Sequence, residues 1–278
     1  TAIFAFPGIQ SYHPNPEPWF KKKGGGPVID MGPYYLTALV NLLGPASYVT
    51  STCNYNTKKR IIGIGPKKGK KIKVECPTTY FSTIRFQNGT IIRLTLSFDV
   101  ISHLRNHIEL YGEKGSMIVP DPNMFGGSVL LSTKLGSKWK NYKTNKMVLG
   151  KINIRTQSSR ANESPTNANY RGVGLSEMIY SIQKKKEHRC NGDLSLHVLN
   201  IIEGIHNAAK NGKKVQASYM NIQAMSCQPH MTQAKIPPER GHEISQFHKW
   251  CLAVRGRLKK REFHSLKAPP AVTEQHLE

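Results

Sequence analysis

Acidic residues are scarce: seventeen Asp and Glu stand against forty Lys and Arg, a formal net charge of +23 over 278 residues. Cysteine is sparse too. Cys53, Cys76, Cys190, Cys227 and Cys251 are widely separated, with no C-x-x-C and no histidine at metal-ligand spacing, so a disulfide framework or a zinc site is not expected. No apolar run approaches the roughly 18 residues that cross a bilayer, and no basic segment followed by an apolar one marks a leader at Thr1. These features predict a soluble, cytoplasmic protein. Nowhere do a strand, a G-x-G-x-x-G and a helix follow in order. The glycine-rich "GIGPKKGKK" at 63–71 lacks both that spacing and the Lys-Ser/Thr of a phosphate loop, and reads as a charged hairpin loop.

The positive charge is dispersed in short clusters, at 20–26, 58–73, 183–189 and 255–263. They lack the aromatic interleaving of RNA readers and the spacing of zinc fingers. Solvated loops and helix ends account for them, and nucleic acid is not an expected partner, although a basic polyanion-binding role stays open on charge alone.

Apolar periodicity divides the chain. Leu36, Leu39, Val40 and Leu43 fall at helical spacing and stop at Gly44-Pro45. From about 48 to 142 short alternating runs predict strands. The clearest pair lies in "TTYFSTIRFQNGTIIRLTLSFDV", where Asn88-Gly89 is expected to supply the two positive-φ positions of a type I′ turn. A second hairpin turns at Gly112-Glu113-Lys114-Gly115, and 129–132 predicts a further strand. Residues 143–170 read as a long polar loop. Two helices follow. One has the stripe Leu175, Met178, Ile179, Ile182, and the other spans 192–212 with Asp193 as N-cap and Gly212 after its end. Both have faces suited to packing on a sheet. The expected fold is α+β, a large predominantly antiparallel open sheet with helices packed on one face, over residues 1–234. Residues 235–278 read as a basic appendage of weak pattern.

The chemistry concentrates in "GGGPVIDMGPYYLTALVNLLGP", 24–45. At 100° per residue the apolar stripe faces one way, while Asp30 and Tyr34, four apart, share the other face. A carboxylate beside a phenol can hold a substrate hydroxyl and relay its proton, and a glycine run such as Gly24-Gly25-Gly26 admits a ligand close to the backbone. A plainer alternative is that Asp30 serves the helix dipole and Tyr34 only packs.

The segment "HPNPEPWFKKKGGGPVIDMGPYYLTALVNLLGP", with "LTLSFDV", "IELYGEKGSMIVPDPNMFGG", "RGVGLSEM" and "HRCNGDLSLHVLNIIEGI", resembles the C-terminal domain of the glucose–fructose oxidoreductase/inositol dehydrogenase (Gfo/Idh/MocA) family over about 1–230. The resemblance implies the substrate half of an NAD- or NADP-dependent dehydrogenase of sugars, inositols or related polyols. It implies Asp30 and Tyr34 as its catalytic pair, at the Asp and the His/Tyr of the family's Asp-x-Gly-x-Tyr pattern. His13, Gly25 and Gly26 join these two as candidate substrate-binding residues, His13 as a loop residue that is as readily structural. It also implies homo-oligomers formed through the open sheet. The family's cofactor-binding domain and its Glu-Lys-Pro lysine have no counterpart in these residues, so the chain alone is expected to be inactive. A catalytically silent interaction module is the alternative.

Overall fold

A computed structural model of the chain describes residues 1–144, 150–152, 170 and 172–217. The expected appendage at 235–278 and most of the expected polar loop lie outside them.

The pairing of the first expected hairpin is present as β5 (Thr79–Phe86) and β6 (Ile91–Ser97), with Ile84 opposite Ile92 and Ser82 opposite Leu94. Its turn differs from the expected type. Only Gly89 has positive φ, at 86°, and its N–H donates to the Phe86 carbonyl. Asn88 works through its side chain instead, accepting from the Thr90 N–H at 3.0 Å and donating to the Leu43 carbonyl at 2.9 Å. A type I turn closed by a left-handed glycine accommodates such an Asx contact, whereas the mirror-image turn requires two positive φ angles. The loop thereby also fixes the end of the first helix.

Around that hairpin the sheet gathers β1 (Ala2–Ala5), β2 (Ala46–Asn54), β7 (Ile108–Gly112), β8 (Gly115–Val119), β9 (Ser128–Ser132), β10 (Lys140–Lys143) and β11 (Val215–Gln216). The order is β10-β9-β8-β7-β1-β6-β5-β2-β11, antiparallel except where β1 lies parallel to β6. The expected turn at 112–115 joins β7 to β8, and β9 fulfils the expectation at 129–132. The lysine-rich 58–73 segment folds as a separate hairpin of β3 (Lys59–Ile61) and β4 (Lys71–Lys73), in which 63–71, read as a charged hairpin loop, supplies the connection and the start of β4.

Helices α1 (Pro27–Leu43) and α3 (Gly192–Asn211) cover one face of the sheet. Leu36, Leu39 and Val40 of α1 and Val198, Ile201 and Ile205 of α3 are buried with Val49, Ile84 and Leu94 of the sheet. Each such side chain contributes about 1.5–3 kcal/mol of apolar burial. A second core of Ile9, Phe20, Ile62, Ile72, Val74 and Phe98 lies under the β3–β4 hairpin. There Arg60 pairs with Asp99, which also accepts from the hydroxyls of Thr78 at 2.7 Å and Thr79 at 2.6 Å. One cation of the basic cluster is therefore structural rather than a solvated loop charge.

Two expectations about the helices need correction. The N-cap of α3 is Asn191, whose Oδ1 accepts from the Leu194 N–H at 2.9 Å, and Asp193 lies two residues further in, within the first turn, where it favours the positive helix end. Asn191 itself is extended, with φ −79° and ψ 175°, the conformation of a cap residue, whereas Asp193 is already helical. The other helix, α2 (Val173–Gln183), does not bury its apolar stripe on the sheet: Leu175, Ile179 and Ile182 are exposed.

His197 links α3 to the start of β2. It is buried, and its Nε2 accepts the Ala46 N–H at 3.0 Å, which requires the neutral imidazole. Burial holds its pKa below the ordinary histidine value. The unfolded chain therefore takes up a proton at higher pH than the folded one, so this contribution is complete above about pH 6.5 and is lost as the pH falls. Urea midpoints at pH 7.5 and 5.5 are expected to show His197→Gln, which keeps an acceptor but cannot titrate, removing up to about 1.4 kcal/mol per pH unit of the acid sensitivity, the ceiling for one proton.

Candidate functional site

The entrance to α1 is shaped by the chain's own backbone. Gly25 is buried, and a Cβ there would stand 2.5 Å from the Lys21 carbonyl oxygen and 2.8 Å from that of Trp19. Gly26 has φ 95° and donates its N–H to the Trp19 carbonyl at 2.8 Å. The two glycines thus let the Trp19–Gly26 loop close upon itself. The close approach foreseen for a ligand is occupied, at Gly25, by protein carbonyls. Gly26 holds the cap position and Pro27 the first helical one, where its fixed φ and missing N–H suit a helix start. The helix therefore begins well ahead of the apolar stripe and runs through Pro33.

This closure delivers Trp19 to Asp30. The indole N–H donates to Asp30 Oδ1 at 3.0 Å, and the His13 ring stacks at a tilt on the indole, centroids 4.8 Å apart. His13 Nδ1 accepts the Asn15 N–H at 3.1 Å, which leaves Nε2 as its outward nitrogen. Four of the five expected site residues, His13, Gly25, Gly26 and Asp30, are thus gathered around one residue absent from the expected set, Trp19. Its sequence signal was a lone tryptophan just ahead of the glycine run; a half-buried indole needs an acceptor for its N–H.

Tyr34 lies one turn beyond Asp30 on the solvent side of α1 and is 52% exposed. Carboxylate and phenol share a face, as the spacing predicted. The thiol nearest the entrance is chemically quiet. Cys76 is buried, its Sγ lies 3.6 Å from the Trp19 carbonyl, and burial pushes its pKa up to about 11, so it stays protonated and cannot serve as a thiolate nucleophile.

A second polar cluster went unforeseen. Tyr35, next to Tyr34, turns inward and is fully buried. Its hydroxyl donates to Asp121 Oδ1 at 2.8 Å and lies 3.1 Å from His107 Nδ1, while His107 Nε2 stands 3.7 Å from Asp121 Oδ2. His107 Nδ1 is also 3.2 Å from the Ile3 carbonyl, which marks it as a donor. Burial and the adjacent Asp121 carboxylate push the Tyr35 pKa well above the ordinary phenol range. Asp121 also accepts the Asn123 N–H at 3.0 Å, the turn role its Asp-Pro-Asn context suggests. The helical pattern could have pointed to Tyr35, since it lies between Met31 and Leu39 on the apolar stripe, but its partners come from residues 72 and 86 positions away.

Among the described residues no group of three or more His, Cys, Asp or Glu is placed to hold a metal ion, and no helix is long and apolar enough to cross a membrane. Cys53, Cys76 and Cys190 are free thiols.

A predominantly antiparallel sheet with helices over one face defines an α+β domain rather than a dinucleotide fold among the described residues. Residues 2–118 match the family model described as the GFO/IDH/MocA C-terminal domain, so the family likeness read from the sequence holds. No curated protein matches the chain. Among solved structures with the same fold are an NAD-binding oxidoreductase from Klebsiella pneumoniae (14% identity, TM-score 0.57, covering 78% of this chain and 58% of that one) and levoglucosan dehydrogenase in complex with NADH and L-sorbose (16%, 0.57, 78% and 57%). A third is an oxidoreductase from Agrobacterium radiobacter in complex with NAD+, L-tartaric acid and magnesium (14%, 0.51, 77% and 56%). The chain thus spans less than three-fifths of the length of each of these proteins.

Tyr35 ties α1 to the segment that ends at Asp121 through a charge-assisted hydrogen bond. Tyr35→Phe is expected to lower stability by about 2 kcal/mol, read as a shift in urea midpoint at unchanged slope.

Proposed function

We propose that the chain is the substrate-binding half of an NAD(P)-dependent oxidoreductase acting on sugars, inositols or related polyols. The observation that carries this reading is the pairing at the start of α1. Asp30 is held by the Trp19 indole, and Tyr34 stands exposed one turn away, at the two positions to which the family resemblance assigns catalysis.

The described residues do not suit a dinucleotide. The sheet has one parallel pair, and the helix led by the glycine run, α1, follows a 3-10 turn at Glu17–Phe20 rather than a strand, with its close-approach space already filled at Gly25. A nicotinamide cofactor is therefore held elsewhere in the proposed enzyme. The work left to this chain concerns the substrate's hydroxyls. Asp30 accepts a hydrogen bond from one hydroxyl, its orientation fixed by Trp19. Tyr34 exchanges the proton of the hydroxyl at the reacting carbon through its phenol oxygen. The tilted His13–Trp19 pair offers an apolar wall with one polar nitrogen, a surface suited to a sugar ring.

A second reading, that of an interaction module, draws on the uncovered face of the sheet, where Phe81, Ile91 and Tyr111 are all more than half exposed. Side chains of this size on an open face favour pairing of two copies there, and such pairing is compatible with either function.

Calorimetry with NADH is expected to show no binding by this chain alone. In the full-length gene product, Tyr34→Phe is expected to lower kcat at least a hundredfold with little change in KM, because proton transfer is realised in the transition state. A KM effect without a kcat effect would overturn the catalytic assignment.

A further inference from the structure

The loop of the β3–β4 hairpin is pinned against the segment that carries His13. The Gly63 N–H donates to the Gln10 carbonyl at 2.8 Å, and a Cβ on Gly65, whose φ is 77°, would stand 2.7 Å from Pro14 Cβ. Two glycines thus let the loop close on residues 10–14, and backbone contacts set where Lys67 begins. Lys67 is half-buried, and its Nζ donates to Asn15 Oδ1 at 2.9 Å. Asn15 gives its own N–H to His13 Nδ1, so in the neutral ring the imidazole proton sits on Nε2. One asparagine therefore fixes two donors, the lysine ammonium and the His13 Nε2–H, next to the indole that holds Asp30.

Lys67 has no counterion. Among the described residues no carboxylate lies within ion-pair distance of it, and the neutral Asn15 amide takes one of its three ammonium hydrogens. Its surroundings deepen the excess of positive charge: residues 1–75 hold eleven Lys and Arg against Glu17, Asp30 and Glu75. Arg60 is neutralised by Asp99, and Lys73 stands 3.5 Å from Glu75. Lys21, Lys22 and Lys23, in the loop that leads from Trp19 to Gly26, are exposed. A neutral polyol has no use for such a field, whereas an ammonium held half out of water and a neighbouring imidazole N–H suit an anion.

We propose that Lys67 and His13 form an anion subsite beside the Trp19–Asp30 pair, and that the substrate is an acidic sugar bearing a carboxylate or a phosphate, an inference that rests on the reading of the preceding subsection. Asp30 is itself anionic, so repulsion keeps the charged group of the ligand at the Lys67 and His13 end and leaves its hydroxyls to Asp30 and Tyr34. Lys67 and His13 each donate one hydrogen bond to the anion. Lys21, Lys22 and Lys23 raise the local concentration of anionic ligand without touching it, an effect that salt screens over about 8 Å at physiological ionic strength.

Calorimetry on the full-length gene product is to compare glucose, galactose and mannose with their uronates and their 6-phosphates, at about 20 and about 200 mM salt. In at least one series an anionic form is expected to bind about tenfold or more tightly than the neutral sugar at the lower salt, the scale of one charge-assisted hydrogen bond, with a smaller gap at the higher salt. Preference for the uronate identifies a carboxylate as the group recognised, and preference for the 6-phosphate a phosphate. Lys67→Gln is expected to remove the preference, and Lys67→Arg, which keeps the charge, to retain most of it. Equal binding of neutral and anionic forms overturns the subsite, as does a preference that survives Lys67→Gln or is lost equally in both variants. Heparin binding with no preference among the monosaccharides marks the lysines as a polyanion surface and overturns it too. Oxidation of the same sugars with NAD+ and NADP+ is followed in parallel. Turnover without an anion preference overturns the subsite and leaves the proposed function standing, whereas an anion preference without turnover overturns the proposed function and leaves the subsite.

Discussion

The orientation of α1 depends on the enclosed hydroxyl of Tyr35. A phenol at that depth must find a partner, and an unpaired one would cost as much as a lost buried hydrogen bond. Asp121 supplies the acceptor and His107 closes the cluster. Because successive helical residues are 100° apart, fixing Tyr35 inward sets the outward direction of Tyr34 and Asp30. A second constraint acts at the helix start, where the Trp19–Gly26 loop folds back tightly enough to exclude a Cβ at Gly25 and brings the indole to Asp30. Presentation of the acid–phenol pair is therefore set from both ends of the segment: by packing below and by loop closure ahead.

The same economy governs the other buried polar groups. His197 accepts a backbone N–H at the start of β2 and stays neutral; Asp99 gathers a guanidinium and two hydroxyls under the β3–β4 hairpin. Each pins a connection that apolar packing alone would leave free to slide, since hydrophobic contact is not directional. The helical face and the sheet face then divide the molecule. One carries the candidate site and an uncovered helix stripe, the other a plain of exposed side chains around Phe81 and Ile91.

Much of the fold was legible because it rests on local periodicity. The alternation in 78–100 specified β5 and β6, the Gly112–Gly115 turn specified β7 and β8, and the glycine-rich 63–71 stretch read as a hairpin loop. Errors arose where side-chain hydrogen bonds outweighed propensity. Asn88 serves through its amide rather than through positive φ, and Asn191 displaces Asp193 as the cap. Strand β1 gave no usable signal, since four residues paired in parallel with β6, more than ninety positions away, have no local turn to announce them.

What the sequence determined by itself was the α+β alternation of elements and the shared face of Asp30 and Tyr34, which depend on spacing along the chain, and the family likeness carried by its motifs, of which residues 2–118 match the family model. Only the tertiary structure decided that Trp19 holds Asp30, that Tyr35 joins His107 and Asp121, that Gly25 makes room for carbonyls of its own chain, and that the apolar stripe of α2 faces outward. The physical reason is common to all four. Each depends on which distant groups the fold brings within hydrogen-bond or van der Waals reach, and sequence spacing carries no record of that distance.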